Sequence, residues 1–97
     1  MASYILANTE VTDPHELQKY VDRIGATIKQ YGGKYIVHGY SSHPETLEGD
    51  WKTKIITIIE FPSAEQAKVW YDSPEYSAIK GIRERSSISS ILLLHGV

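Results

Sequence analysis

The chain has 97 residues, with ten basic side chains against twelve acidic for a net charge of −2, and it has no cysteine. A single domain over residues 1–97 is expected at this length. Near-neutral charge without a like-charged run argues against nucleic acid and anionic membrane as partners, and the absence of cysteine removes disulfides, thiolate catalysis and zinc–thiolate sites.

Met1-Ala2-Ser3-Tyr4 does not open a secretory signal. The longest apolar run, Ile91 to Leu94, is too short to span a bilayer. A soluble cytoplasmic protein is the expectation. The first predicted strand is Tyr4 to Val11. Asp13-Pro14 then starts a helix, with a carboxylate at the N-cap and proline at the first helical position. Leu17, Tyr20, Val21, Ile24, Ile28 and Tyr31 follow at helical spacing as one apolar stripe. Gly32-Gly33 ends the helix because glycine tolerates positive φ.

A second strand runs from Lys34 to about Tyr40, rich in β-branched and aromatic residues. Ser41 to Trp51, with Pro44 and Gly49, reads as a polar loop. Lys54 to Phe61 is a third strand, almost continuous isoleucine and threonine, as a strand covered on both faces would be. Pro62-Ser63 stops it, and Ser63 with Gln66 fits a capping box. Ser73-Pro74 repeats the cap-then-proline device and begins a further helical segment through roughly Arg83. Ser87 to His95 is the last strand.

The order is βαββαβ with the second helix broken in two. The predicted fold is therefore α+β and ferredoxin-like: a four-stranded antiparallel sheet with its helices on one face. Ile55, Ile56, Ile58 and Ile59 put apolar groups on both faces of the third strand. No sequence remains to cover the second face, so a second copy of the chain is the expected partner, packed sheet to sheet.

Three signatures lie at junctions: Leu47-Glu48-Gly49-Asp50-Trp51, Glu60-Phe61-Pro62-Ser63, and Trp70-Tyr71-Asp72-Ser73-Pro74-Glu75-Tyr76. With Asp13-Pro14 and Gly32-Gly33-Lys34-Tyr35 in this order and spacing, the chain resembles family 1330 of domains of unknown function, in the dimeric α+β barrel superfamily. The resemblance implies homodimers whose sheets close a barrel, with a cleft in each subunit between sheet and helices. It also implies a range of activities, among them cofactor-independent monooxygenases, haem-degrading enzymes and muconolactone-type isomerases, and stress-responsive domains of unclear role; fold alone does not choose among them. Where relatives tend to carry an arginine and paired glycines after Gly-Gly-Lys-Tyr, this chain has His38, Gly39 and Tyr40.

His38 is the candidate catalytic residue, since histidine exchanges protons near neutral pH. Strict alternation puts it on one face with Ile36 and Tyr40, and the bland alternative is a strand-end histidine bonded to backbone or solvent. Asn8 interrupts an apolar strand and must find a partner or bind something. Arg83, near a helix end, either complements the helix dipole or faces the cleft and grips a carboxylate. Glu48 is a candidate partner for Arg83 or Arg85. Trp70 is more often a core aromatic than part of a ligand cage, and Trp51 either closes the cleft mouth or anchors its own loop. No two histidines stand at metal-binding spacing, so no metal site is expected, and no cofactor is required.

Two functions follow as expectations. One is a homodimer binding a small organic molecule in a cleft lined by Asn8, His38, Tyr40, Trp70 and Arg83 with Trp51 near the mouth, with an oxygenase-like or isomerase-like activity in which His38 is the base. The other is a non-enzymatic regulatory or interaction module. A polar cleft favours the first and a packed apolar interior the second.

Overall fold

A computed structural model describes residues 1–52 and 55–97. Its elements are β1 (Ser3–Val11), α1 (Pro14–Gln30), β2 (Lys34–Val37), β3 (Ile55–Phe61), α2 (Ala64–Tyr71), α3 (Pro74–Ser86) and β4 (Ser87–His95). Lys54, where the sequence reading begins its third strand, lies outside the described residues.

The helix starts follow the local chemistry. Asp13 Oδ1 accepts from the Glu16 N–H at 3.1 Å, and Ser63 Oγ accepts from the Gln66 N–H at 3.1 Å. The reciprocal half of the capping box is absent among the described residues; Gln66 Nε2 donates to the Tyr31 carbonyl at 2.8 Å and ties α2 to the end of α1. Ser73 Oγ accepts from the Tyr76 N–H at 3.1 Å and donates to the Trp70 carbonyl at 2.7 Å, so one hydroxyl ends α2 and starts α3. Gly32 takes φ +81°, and the chain turns out of α1 there. Helix α3 runs three residues past Arg83 and passes directly into β4.

The strands form one antiparallel sheet in the order β2-β3-β1-β4. This is the ferredoxin-like arrangement, with helices on one face. Ile5, Ala7 and Thr9 of β1 face the helices beside Thr57 and Ile59 of β3 and Ile91 and Leu93 of β4. Leu17, Tyr20, Ile24 and Ile28 of α1, with Ala67 and Trp70 of α2 and Tyr76 and Ile79 of α3, close the core over them. The other face carries Leu6, Ile56, Ile58, Ile88, Leu92 and Leu94, the last three exposed. A slab 34 × 33 × 18 Å has room for only these two layers.

Strand β2 ends earlier than expected, at Val37, and its pairing slips: Tyr35 stands opposite Ile59 but Val37 opposite Ile58. One residue is therefore extra on β2, and the alternation reverses there. Ile36 turns out to solvent, while His38 comes to the side of Tyr35, ring to ring at 4.6 Å. The expected shared face of Ile36 and His38 is thereby corrected. Beyond it, an added Cβ on Gly39 would stand 2.5 Å from the Ile56 carbonyl oxygen, so only glycine lets the loop run this close to β3.

Candidate functional site

The interior between sheet and helices is not filled. At its centre β1 carries Ala7, a small side chain between Ile5 and Thr9, with Thr57 and Ile91 as its in-register neighbours. A cavity of about 30 Å³ remains there, lined among others by Tyr20, Tyr35, Tyr40, Trp70, Tyr76 and Arg83. A water-sized centre takes roughly 10–15 Å³ on such a measure, so the space suits two or three waters or one small polar group.

Its polar wall is built by α1 and α3. Tyr20 and Tyr76 hydroxyls are 2.8 Å apart, and Arg83 Nε donates to the Tyr76 oxygen at 3.3 Å. Arg83 is only 8% exposed. Among the described residues no carboxylate forms an ion pair with it; Glu16, the acid nearest in role, pairs instead with Arg85 at 2.8 Å and Lys19 at 2.9 Å. The two arginines of α3 are thus divided: Arg85 reaches outward to Glu16 of α1, and Arg83 turns inward.

The hydrogens of this cluster do not balance. Arg83 Nε–H and the two phenolic O–H groups are three donors, but they share two contacts. Whichever phenol donates to the other, one phenolic proton finds no acceptor among the described residues. Burial, then the neighbouring Tyr76 phenol, pushes the Tyr20 pKa far up, with Arg83 pulling it back. Burial likewise moves Tyr35 up to about 12 and raises Tyr40, against the Thr9 hydrogen bond and the Arg83 charge. Burial works against the Arg83 cation, but Tyr76 and then Tyr20 and Tyr71 outweigh it, so the guanidinium is held above its usual range. Tyr20, Tyr35 and Tyr40 thus stay protonated at neutral pH. The wall therefore offers one fixed positive charge and one phenolic proton left over, beside the hydroxyl oxygens of its tyrosines and of Thr9 and Thr57.

Of the residues expected at a cleft, Tyr40, Trp70 and Arg83 meet here. Trp70 is also core: its Nε1 donates to Thr27 Oγ1 at 3.0 Å and its ring lies 4.3 Å from Tyr76. His38 stands one ring back, 4.6 Å from Tyr35 and 6.0 Å from Tyr40, with its Nδ1 buried and without a hydrogen-bond partner among the described residues. Asn8 is on the opposite face of the sheet, between Ile56 and Ser90, and its buried Oδ1 likewise has no partner among the described residues. Trp51 is on that opposite side too: 66% exposed, it borders a hollow with Leu6, Leu47, Glu48 and Ile56 and is remote from the cavity. Asn8, His38 and Trp51 thus do not join the other three in lining the space.

Sequence reasoning missed Tyr20 and Tyr76 as site residues. Their signal was a phenol at a core position, since a buried hydroxyl requires a partner. Nothing in the sequence alone said that the partner would be Arg83.

The model of the family described as a domain of unknown function, DUF1330, matches residues 2–97. The chain belongs to this family. No curated protein matches it by sequence. Its fold is similar to that of a protein of unknown function from Rhodopseudomonas palustris, with TM-score 0.76, 18% identity, and coverage of 99% of this chain and 82% of that one. It is also similar to SnoaB, a cofactor-independent oxygenase from Streptomyces nogalater, with TM-score 0.71, 13% identity, and coverage of 99% and 93%. A dimeric ferredoxin-like protein of unknown function from Bacteroides fragilis aligns with TM-score 0.59 at 11% identity, over 98% of this chain and 96% of that one. At these identities the likeness establishes the fold alone. Among the described residues no helix is long and apolar enough to cross a membrane, and no group of acidic or histidine side chains is placed to hold a metal.

Proposed function

We propose that the chain acts as a homodimer, sheet packed on sheet, in which each subunit's interior cavity seats the oxyanion of a small organic molecule. One observation carries the ligand: Arg83 is buried, charged and without a carboxylate among the described residues. An anion seated against a buried guanidinium makes a charge-assisted hydrogen bond that water screens little. The unspent phenolic proton of Tyr20 or Tyr76 adds a second donor aimed at the same acceptor. The dimer is supported by the apolar second face and by the orphaned Asn8 oxygen at its centre, which a facing subunit or a trapped water would satisfy.

SnoaB supports extending the reading to catalysis. An activity of that kind here would use Arg83 and a phenolic proton to hold the anion of an enol or phenol while reaction proceeds. His38 would act as the base only after Tyr40 moves aside, because it stands behind that ring.

The small volume favours a second reading, the interaction module, in which Arg83 is a structural cation and the dimer itself is the functional unit. Titration calorimetry with benzoate and benzamide separates the two. Benzoate should bind the native protein and bind Arg83→Gln at least about tenfold more weakly, since a charged hydrogen bond contributes about 1.5–3 kcal/mol. Benzamide should bind poorly to both. Equal benzoate binding by the native protein and Arg83→Gln, or none by either, removes the oxyanion site and leaves the interaction module.

A further inference from the structure

We infer that the ligand is an elongated, apolar molecule with a single oxyanion head: the head sits on Arg83, and the tail passes between Ile5 and Ile91 into the groove between α2 and β4. This rests on the oxyanion site just proposed and specifies what that site admits.

Size sets the first constraint. A cavity of about 30 Å³ takes a carboxylate or enolate oxygen and nothing larger, whereas sites for organic ligands usually occupy about 300–1,000 Å³. The rest of any ligand must therefore lie elsewhere. Directly beside the cavity is a groove of about 290 Å³ lined by Ile5, Ala67, Lys68, Tyr71, Ile91 and Leu93, with Asp72 at its edge. Ile5 and Ile91 line both spaces. They are diagonal neighbours across β1 and β4, since Ile5 pairs with Leu93 and Ala7 with Ile91. The Tyr71 ring of the groove also touches the Tyr76 ring of the cavity wall, 5.6 Å between centres. The two spaces are thus parted by side chains, among them Ile91, which is only half-buried.

Polarity sets the direction. The cavity holds the buried Arg83 cation and one phenolic proton left over, whereas groove walls are mainly apolar. Among the groove's lining residues the cation Lys68 is exposed to water and shares its site with Asp72, which repels an anion. The oxyanion therefore goes inward and the hydrocarbon outward. The groove lies on the helix side of the sheet, so packing of the opposite face against a second subunit leaves it clear.

The probes are straight-chain carboxylates from butyrate to decanoate, measured by calorimetry. Native protein should bind each about fourfold more tightly per added methylene until the groove is full. Leu93→Trp, which alters the groove and not the cavity, should flatten that rise while costing butyrate far less affinity than decanoate. If Leu93→Trp does not fold, nuclear Overhauser contacts in the native protein decide. In methyl-labelled protein, terminal-methyl protons of decanoate should show nuclear Overhauser contacts to Leu93 and not to Leu6 or Ile56. A flat affinity series, contacts to Leu6 or Ile56, or a head group found at Leu93 overturns the inference even where Arg83→Gln still weakens butyrate. Loss of the Arg83 dependence itself removes the underlying oxyanion site, and with it this inference.

Discussion

The Tyr20 and Tyr76 hydroxyls meet 2.8 Å apart in the interior, joining α1 to α3 across 56 residues of sequence. Tyr76 is the hub, because it also accepts from Arg83. Tyr20→Phe should cost about 1 kcal/mol, one neutral hydrogen bond. Tyr76→Phe strips both Tyr20 and Arg83 of their partner and should cost about 1–3 kcal/mol. The double variant should cost less than the sum, since the two share one interaction. Urea unfolding of the three variants checks this; strict additivity would mean the hydroxyls do not interact.

The second sheet face predicts the assembly. Ile58 stands near its middle, opposite Leu6 of β1. Ile58→Lys places a charge where the proposed partner sheet would bury it. Sedimentation velocity at low micromolar concentration should show a dimer for the native protein and monomer for the variant. A native protein that sediments only as monomer ends the dimer proposal.

Acid should loosen the α1–α3 contact. Tyr31 donates to Glu75 Oε1 at 2.6 Å and Gln30 adds a bond at 3.1 Å. The Tyr31 hydrogen bond is the main cause that lowers the Glu75 pKa below its usual 4.5. A carboxyl lowered on folding stabilises the fold above its unfolded value and loses that contribution as pH falls through the folded value. Native protein should therefore melt above Glu75→Gln at pH 7, and the gap should shrink once pH drops below about 4.5. A gap that widens in acid would contradict the assignment.

Gly39 predicts a local packing defect. Its N–H donates to Thr57 Oγ1 at 3.2 Å while its Cα faces the β3 backbone. Gly39→Ala should cost roughly 1–3 kcal/mol, the usual range for forced overpacking. Chemical unfolding measures this, and a neutral substitution would show that the loop can shift outward at no expense.

The chain's own chemistry determined its elements. Asp13, Ser63 and Ser73 with their following residues mark three helix starts by satisfying local N–H groups, and these interactions need only neighbours in sequence. Isoleucine on both sides of β3 likewise announced a sheet with two apolar faces, because side chains on a strand alternate whatever the surroundings. The site was different. Arg83, Tyr40 and Trp70 could be named as polar or aromatic groups, but an inserted residue in β2 turned His38 to the side of Tyr35, and the parity of β1 put Asn8 on the far face. Which groups converge depends on register and on long-range contacts such as Tyr20 with Tyr76. Those energies arise only when distant segments pack together, so the tertiary structure alone decided them.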